Sequence, residues 1–247
     1  MDTIEYDKEE ADEQTPDGGF GDIYIGTRYQ EKRLLSDGQV MFLPDIEPTH
    51  IHYKEWLLRK RSALRLVDYL SKKNEPLTIL EIGCGNGWLS SKLSAIPGAH
   101  VTGLDINQVE ILQAKRIFAK NNLKFIWSGF EPAILKGKKF DIILFAASIQ
   151  YFSSVKEVLE NAFPCLADDG EIHIMDTHFY KPEELKLAVQ RTENYYKELG
   201  YPEMTAYYFH HCINDIRQFK HTILVNPSSL LNRIGRKEPF YWIAVTR

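Results

Sequence analysis

From residue 77 onwards, short apolar runs alternate with segments in which apolar residues recur at helical spacing. Strands separated by helices need crossover connections, so the alternation predicts an α/β fold with a mostly parallel sheet and helices on both faces. The last two apolar runs have no long helix between them, which predicts an antiparallel pair at the edge of the sheet. The predicted strands are 77–83, 100–106, 124–129, 140–147, 171–177, 221–226 and 240–246, and the predicted helices are 87–95, 107–121, 154–166 and 182–199.

The chain ahead of this alternation divides into a tail and a cap. Residues 1–15 carry seven acids and one base, so we expect residues 1–19 to form an acidic, disordered tail. Residues 20–76 are expected to form an N-terminal helical cap, because the apolar residues between Trp56 and Leu70 follow the spacing of an amphipathic helix. Residues 77–247 then form one α/β domain with an insertion at about 200–218.

Composition and charge argue against several classes of protein. No run of about 18 apolar residues exists and the N-terminus has no apolar leader, so we expect a cytoplasmic protein without a membrane partner. The three cysteines are odd in number and far apart, so neither a disulfide framework nor a metal site is expected. The net charge is −4 and residues 1–15 carry −6, which leaves the remainder at +2. That balance is too weak for a typical nucleic-acid-binding protein, and the basic stretch 59–65 is interpreted as a solvated helix face.

The segment TILEIGCGNGWLSSKL (78–93) places three glycines between a predicted strand and a predicted helix. A phosphate-binding P-loop would need a lysine after the glycines, and this turn has none. A dinucleotide fingerprint would need GxGxxG, whereas here the pattern is GxGxG and Trp88 stands at the third fingerprint position. Because an indole there would obstruct a pyrophosphate, the turn favours a ligand other than NAD.

Two acids follow neighbouring strands at the edge where such sheets bind ligands. Glu81 lies two residues before the first glycine, and Asp105 ends the next strand. Asp105 is placed to accept hydrogen bonds from two ribose hydroxyls, because both carboxylate oxygens are acceptors. Glu81 would repel a phosphate and attract a positively charged group. A nucleoside with an ammonium and a sulfonium fits both acids, and S-adenosylmethionine is such a molecule.

Four segments, taken in order over residues 77–178, resemble the successive motifs of class I S-adenosylmethionine-dependent methyltransferases. They are LEIGCGNGWLS, VTGLDIN, FDIILFAASIQYF and LADDGEIHIMD. The resemblance implies a Rossmann-like seven-stranded sheet with a reversed last strand, and a methyltransferase activity that uses S-adenosylmethionine as cofactor. It also implies that the glycine turn and the ends of the second and fourth strands line the cofactor pocket.

The chain departs from this family after the third strand. Family members often carry an acid there that binds the adenine amino group, and this chain has Gly129-Phe130 instead. Either backbone atoms replace that bond or Phe130 packs on the adenine ring. The residues assigned to cofactor binding are Glu81, Gly83, Cys84, Gly85, Gly87, Trp88, Asp105, Ile106, Phe130, Phe145 and Ala146.

The acceptor is expected to be a small molecule rather than a nucleic acid. Nucleic-acid amino-methyltransferases of this type carry an (N/D)PPY-like tetrapeptide after the fourth strand, where this chain has AASI (146–149). Neutral histidine accepts a proton near pH 7, so the candidate catalytic bases are His178, His210 and His211, each of which has a structural role as its alternative. The candidate substrate contacts are Tyr151, Tyr180 and Tyr207. The segment 26–33 is expected to fold over the cofactor, with Arg28 or Tyr29 reaching its carboxylate.

The sequence therefore predicts a methyltransferase acting on an oxygen or nitrogen of a small-molecule acceptor. Three alternatives stay open: a regulatory protein that binds the cofactor without turnover, an NAD-linked oxidoreductase, and a methyltransferase with a protein or lipid-linked acceptor. A non-catalytic protein would have its acceptor cavity filled by side chains, whereas a macromolecular acceptor would need an open groove at the strand ends. Whether the protein is a monomer or a homodimer is not indicated by the sequence.

Overall fold

The computed structural model describes residues 19–235 and 238–247, so all of the predicted tail except Gly19 lies outside the described residues. The helices are α1 (Phe20–Gln30), α2 (Asp37–Phe42), α3 (Tyr53–Ser71), α4 (Trp88–Leu93), α5 (Gln108–Ile117), α6 (Val155–Ala162), α7 (Leu185–Leu199) and α8 (Leu230–Ile234). The strands are β1 (Thr78–Ile82), β2 (His100–Asp105), β3 (Leu123–Trp127), β4 (Phe140–Ala146), β5 (Leu166–Thr177), β6 (Phe179–Tyr180), β7 (His211–Cys212), β8 (Lys220–Val225) and β9 (Tyr241–Thr246).

Seven strands form one sheet in the order β3-β2-β1-β4-β5-β9-β8. The first five pair in parallel, and β9 lies antiparallel between β5 and β8. The predicted seven-stranded sheet with a reversed last strand is thus confirmed. The chain passes from β1 to β2 and β3 on one side and then crosses to β4 on the other side of β1. The strand order therefore reverses at β1, and such a switch point opens a crevice at the carboxyl ends of the strands.

The core fills both faces of the sheet, which explains why the strands are continuously apolar. Along β4, Ile142 and Leu144 pack on the face covered by α3, α4 and α5. Ile143 and Phe145 point the other way, into the cluster that includes Val158 and Leu159 of α6. A rigid sheet buried on both sides holds the loops at its carboxyl edge in fixed positions.

Several bounds differ from the sequence prediction: α5 ends at Ile117 rather than at residue 121, and β5 begins at Leu166 rather than at residue 171. Two further differences concern α6 and α3. Helix α6 ends at Ala162 rather than at residue 166, because Pro164 cannot donate a helical hydrogen bond, and β5 begins directly afterwards at Leu166. Helix α3 forms where expected, but Leu57 and Leu64, which belong to its apolar pattern, are 41% and 60% exposed. The stripe it buries is instead Ser62, Ala63, Leu66 and Leu70.

The segment after α7 folds back to the carboxyl edge of the sheet. Its strand β7 pairs in parallel with β6, which follows β5 directly. Two short 3₁₀-helices, Pro202–Tyr207 and Ile213–Gln218, flank this small sheet. Within the described residues, no helix is both long and apolar enough to cross a membrane.

Candidate functional site

The glycine turn ties the end of β1 to the end of β2. The amides of Gly83 and Cys84 donate to the carbonyl oxygen of Leu104, at 2.8 and 3.1 Å. The three glycines 83, 85 and 87 have φ of 75°, 53° and 75°, a region in which a side chain is strained. The turn therefore brings bare backbone to the carboxyl edge of the sheet.

Asp105 is held at the end of β2 by backbone amides. Gly85 donates its amide hydrogen to Oδ2 at 2.7 Å, and Asn107 donates its own to Oδ1 at 2.8 Å. Burial raises the pKa of the Asp105 carboxyl above its usual range. Each oxygen retains a further lone pair, so the fixed carboxylate can accept two more hydrogen bonds.

Beside Asp105 lies a cavity of about 270 Å³, which we call the aromatic cavity. Phe20 of α1 forms part of its wall and packs on Tyr151 and Tyr207, with ring centroids 5.8 and 5.1 Å apart. These two tyrosines, which were predicted to contact the substrate, therefore lie beside Asp105. The other lining residues that matter here are Ile106, Ser128, Gly129 and Phe130, and this set suits a flat ring system.

On the other side of the glycine turn is a smaller cavity of about 100 Å³, the inner cavity. Its wall includes Glu81, which is buried and accepts a 2.5 Å hydrogen bond from the Ser90 hydroxyl. Burial raises the pKa of Glu81 to about 8. Burial and the negative charge of Asp105 likewise raise the pKa of Glu110 to about 7. Cys84, Trp88 and Ala146 complete this wall.

The opposite wall of the inner cavity carries guanidinium groups that join α1 to α3. Arg28 and Arg33 each contact Glu31 at 3.2 Å, and Arg33 and Arg59 contact Glu55 at 2.7 and 3.0 Å. Burial, the largest single effect, would raise the pKa of Glu55, but the hydrogen bonds and positive charges of Arg33 and Arg59 together outweigh it and bring the pKa to about 2. Arg28 is one of the two residues that were predicted to reach the cofactor carboxylate, and it lines the inner cavity.

Two residues of the cap, Tyr29 and Arg59, have surroundings other than those predicted from the sequence. Tyr29, the alternative to Arg28, is 68% exposed and lines none of the three cavities described here. Arg59 belongs to the basic stretch interpreted as a solvated face, and that interpretation is wrong for it, because its guanidinium is paired with Glu55 at the cavity. The helix turns Arg59 inward because the buried stripe of α3 runs along the same side.

A third cavity of about 720 Å³, the outer chamber, opens between α1, α3, α7 and the ends of β4 and β5. Ala147 borders all three cavities, and Asp176 borders both the inner cavity and the outer chamber. Both have left-handed φ, 55° and 57°, which is unfavourable for side chains other than glycine and concentrates at functional sites. The point where the cavities meet is therefore the candidate reaction centre.

Gln150 fixes the loops on either side of that point. Its amide nitrogen donates to the Ala147 carbonyl oxygen at 2.6 Å, and its amide oxygen accepts a hydrogen bond from the Thr177 hydroxyl at 2.9 Å. The loop after β4 is thus tied to the end of β5. Two strained backbone positions are held in place by one side chain.

The three candidate histidines lie in different surroundings. His178 lines the outer chamber and packs on Phe240 with 4.7 Å between ring centroids, and burial lowers its pKa. His210 bonds to the hydroxyl of Thr192 at 2.9 Å. His211 is buried, with its Nε2 3.1 Å from the carbonyl oxygen of Ile149. Of these three histidines, only His178 borders the outer chamber. The candidate substrate contact Tyr180 borders the chamber too.

Two residues assigned to cofactor binding lie behind the cavities rather than on their surface. Phe145 is fully buried in the core, where it packs on Phe152. Gly87 begins α4, and a Cβ there would lie 2.5 Å from the Phe125 ring. Sequence reasoning missed Glu110 and much of the outer chamber: Glu31, Arg33, Glu55, Arg59, Gln150, Asp176, Thr177, Arg191 and Phe240. The aromatic stretch 195–211 was open to two interpretations, an acceptor wall or packing on the sheet, and its Tyr195, Tyr196 and Tyr208 line the chamber.

Comparisons with known proteins agree with this geometry. Residues 73–238 match the family model described as a methyltransferase domain. The chain is 32% identical over 140 residues to the malonyl-[acyl-carrier protein] O-methyltransferase of Bacillus anthracis, covering 55% of this chain and 52% of that protein. It is 30% identical over 139 residues to the ubiquinone biosynthesis O-methyltransferase of Pelagibacter ubique, covering 56% of each. The chain thus spans about half the length of the curated relatives that it matches.

Solved structures share the fold over most of the chain. The magnesium protoporphyrin IX methyltransferase of Synechocystis PCC 6803, with bound S-adenosylhomocysteine, superposes with a TM-score of 0.57 at 17% identity. The plantazolicin methyltransferase BpumL, also with S-adenosylhomocysteine, gives 0.54 at 20% identity. Both cover 92% of this chain and 100% of their own. At these identities the likeness concerns the fold alone.

Proposed function

This chain belongs to the class I S-adenosylmethionine-dependent methyltransferases, and from that membership we propose that it methylates an oxygen or nitrogen of a small molecule bound in the outer chamber. The observation that carries the proposal is the meeting of three cavities at Ala147. Two of them have the polar groups that the cofactor needs, and the third provides space for an acceptor beside the same residue.

The residues of the inner and aromatic cavities fit S-adenosylmethionine. Asp105 offers fixed acceptors for ribose hydroxyls, and Ile106 and Phe130 offer apolar surface for the adenine. Glu81 and Glu110 stand opposite Arg28 across the inner cavity, so a zwitterionic amino-acid group meets both charges that it needs.

When bound, S-adenosylmethionine supplies an electrophilic methyl carbon on a sulfonium sulfur, which keeps the electron pair of the broken bond. The protein's contribution is mainly to position the acceptor, since the leaving group is already good. His178 lies in the chamber with a lowered pKa, so its imidazole is neutral near pH 7 and can take a proton from an acceptor hydroxyl. We assign His178 as the candidate base, and His210 and His211 as structural residues.

The size of the outer chamber favours a small acceptor and turnover. Its volume of about 720 Å³ falls within the range of roughly 300–1,000 Å³ usual for small-molecule sites. A protein that had lost catalysis would be expected to fill this space with side chains. Residues from α1, α3 and α7 stand around it, so a small molecule can contact protein on several sides.

The proposal is tested by incubating the full chain with S-adenosylmethionine and a library of phenols, carboxylic acids and amines. Methylated products and S-adenosylhomocysteine are then quantified by mass spectrometry. We expect equal amounts of the two products with wild type and neither with Asp105→Ala. Tight binding of S-adenosylhomocysteine without any methylated product would refute catalysis and support the regulatory alternative.

A carrier-linked acyl group is the second candidate acceptor. Several relatives are named malonyl-[acyl-carrier protein] O-methyltransferases, and the chamber has arginines that could receive a free carboxylate. The same assay with malonyl-acyl carrier protein and with free malonate separates the two candidates. Turnover of the carrier-linked substrate alone would favour the second.

A further inference from the structure

One arginine that lines the chamber has no charged partner in the part of the chain that the structure describes. Arg191 of α7 lines the chamber and is exposed. Among residues 19–235 and 238–247, its guanidinium has neither an ion pair nor a hydrogen bond. Its charge instead acts on neutral neighbours: it lowers the pKa of His178 in addition to the larger effect of burial.

The other chamber arginines are already engaged. Arg28 is paired with Glu31, and Arg33 and Arg59 are paired with Glu55. These three also border the inner cavity, whereas Arg191 borders the chamber alone. Among the described residues, Arg191 is thus the chamber arginine that forms no ion pair and does not line the inner cavity.

The walls between the reaction centre and Arg191 are largely aromatic. They include Tyr151 and Tyr208, whose rings meet edge to face at 5.9 Å, and Tyr180. Tyr195, Tyr196 and Phe240 complete the set. Such walls favour a planar molecule, because rings stack and meet edge to face with little loss of side-chain entropy.

We propose that the acceptor is a planar acid whose carboxylate pairs with Arg191 while its methyl-accepting oxygen or nitrogen lies near Ala147. The inference rests on the proposed function and narrows its substrate class. A guanidinium binds a carboxylate through two parallel hydrogen bonds, so Arg191 selects an ionised acid over a neutral analogue of equal shape. The carboxylate is the anchor and is not itself methylated, because Arg191 lines the chamber but not the inner cavity.

The test compares acids with their amides on protein saturated with S-adenosylhomocysteine. The probes are 4-hydroxybenzoate, 4-hydroxycinnamate and 2-aminobenzoate, each against its primary amide, with dissociation constants measured by titration calorimetry. Because hydrogen bonds between a guanidinium and an ionised carboxylate are stronger than those to a neutral amide, we expect at least one acid to bind about tenfold more tightly than its amide. The same acid should be methylated on its hydroxyl or amino group when S-adenosylmethionine replaces the product.

Variants of α7 assign the preference to one side chain. Arg191→Gln should reduce the acid-to-amide ratio to within about twofold, and Arg191→Lys should retain part of it, since a lysine offers charge without the planar fork. Lys197→Gln removes one positive charge from the same helix outside the chamber and should leave the ratio unchanged.

Three results overturn the inference: no binding of any acid, equal affinity for acid and amide, or a preference that survives in Arg191→Gln. A methyl ester as the product would also contradict it, because the carboxylate would then be the acceptor rather than the anchor. Failure of the proposed function looks different, since S-adenosylhomocysteine would bind while no library member of any charge was methylated.

Discussion

Cofactor binding should release protons from the inner cavity. Glu81 has a pKa of about 8 and Glu110 a pKa of about 7, so near neutral pH both are partly protonated in the free protein. S-adenosylmethionine brings an ammonium and a sulfonium, which favour the ionised carboxylates. Ligand binding and loss of these protons are therefore linked, and affinity should rise with pH.

The magnitude follows from the two pKa values. At pH 7 Glu81 is about 90% protonated and Glu110 about half, so complete ionisation would release up to about 1.4 protons. Between pH 6 and 7 this corresponds to an affinity gain of up to about fiftyfold. The comparison stops at pH 7 because the ligand's own α-amino group titrates at about 7.7–8.0.

The assay is titration calorimetry in buffers of different ionisation enthalpy, since the observed heat varies with the number of protons that the buffer takes up. In Glu81→Gln, which keeps an acceptor for Ser90, the gain between pH 6 and 7 should fall to about fivefold. In Glu110→Gln the gain in affinity between pH 6 and 7 should fall to about ninefold. Heats independent of buffer, together with a constant affinity over this range, would refute the charge assignment of the inner cavity.

Four further substitutions probe separate parts of the protein. Asp105→Ala should weaken S-adenosylhomocysteine binding at least about a hundredfold, because two hydrogen bonds to a charged group, each contributing about 1.5–3 kcal/mol, are lost; unchanged affinity in calorimetry contradicts this. Gly83→Ala should lower the free energy of unfolding by about 2–4 kcal/mol, since it adds left-handed strain and overlap with Ser148; denaturant titration measures it. His178→Gln should reduce kcat about a hundredfold or more and remove the acidic limb of its pH profile. His211→Ala should instead lower the free energy of unfolding by about 1–3 kcal/mol, with normal activity in the folded fraction. Lost activity in His211→Ala with normal activity in His178→Gln would show that His211 is the base and His178 is structural.

The sequence by itself determined the sheet and most of the residues that we propose for the cofactor, because both are encoded locally. Buried strands leave continuous apolar runs, and a strand-to-helix turn made of bare backbone needs glycines at fixed spacing. Asp105 and Glu81 were found because each stands within two residues of a strand end, and parallel strands bring their carboxyl ends to one edge. Ile106 and Phe130, which we propose contact the adenine, were predicted for the same reason, because each closely follows a strand.

Only the tertiary structure decided the acceptor half. The chamber unites side chains of α1, α3 and α7 with the end of β5, so residues as distant as Arg28 and Arg191 share one space. No local pattern separates an arginine that faces a cavity from one that faces solvent, because that depends on which stripe of each helix is buried. Arg59 was misread for this reason. Long-range packing sets the helix rotations, and these determine which charges face the acceptor.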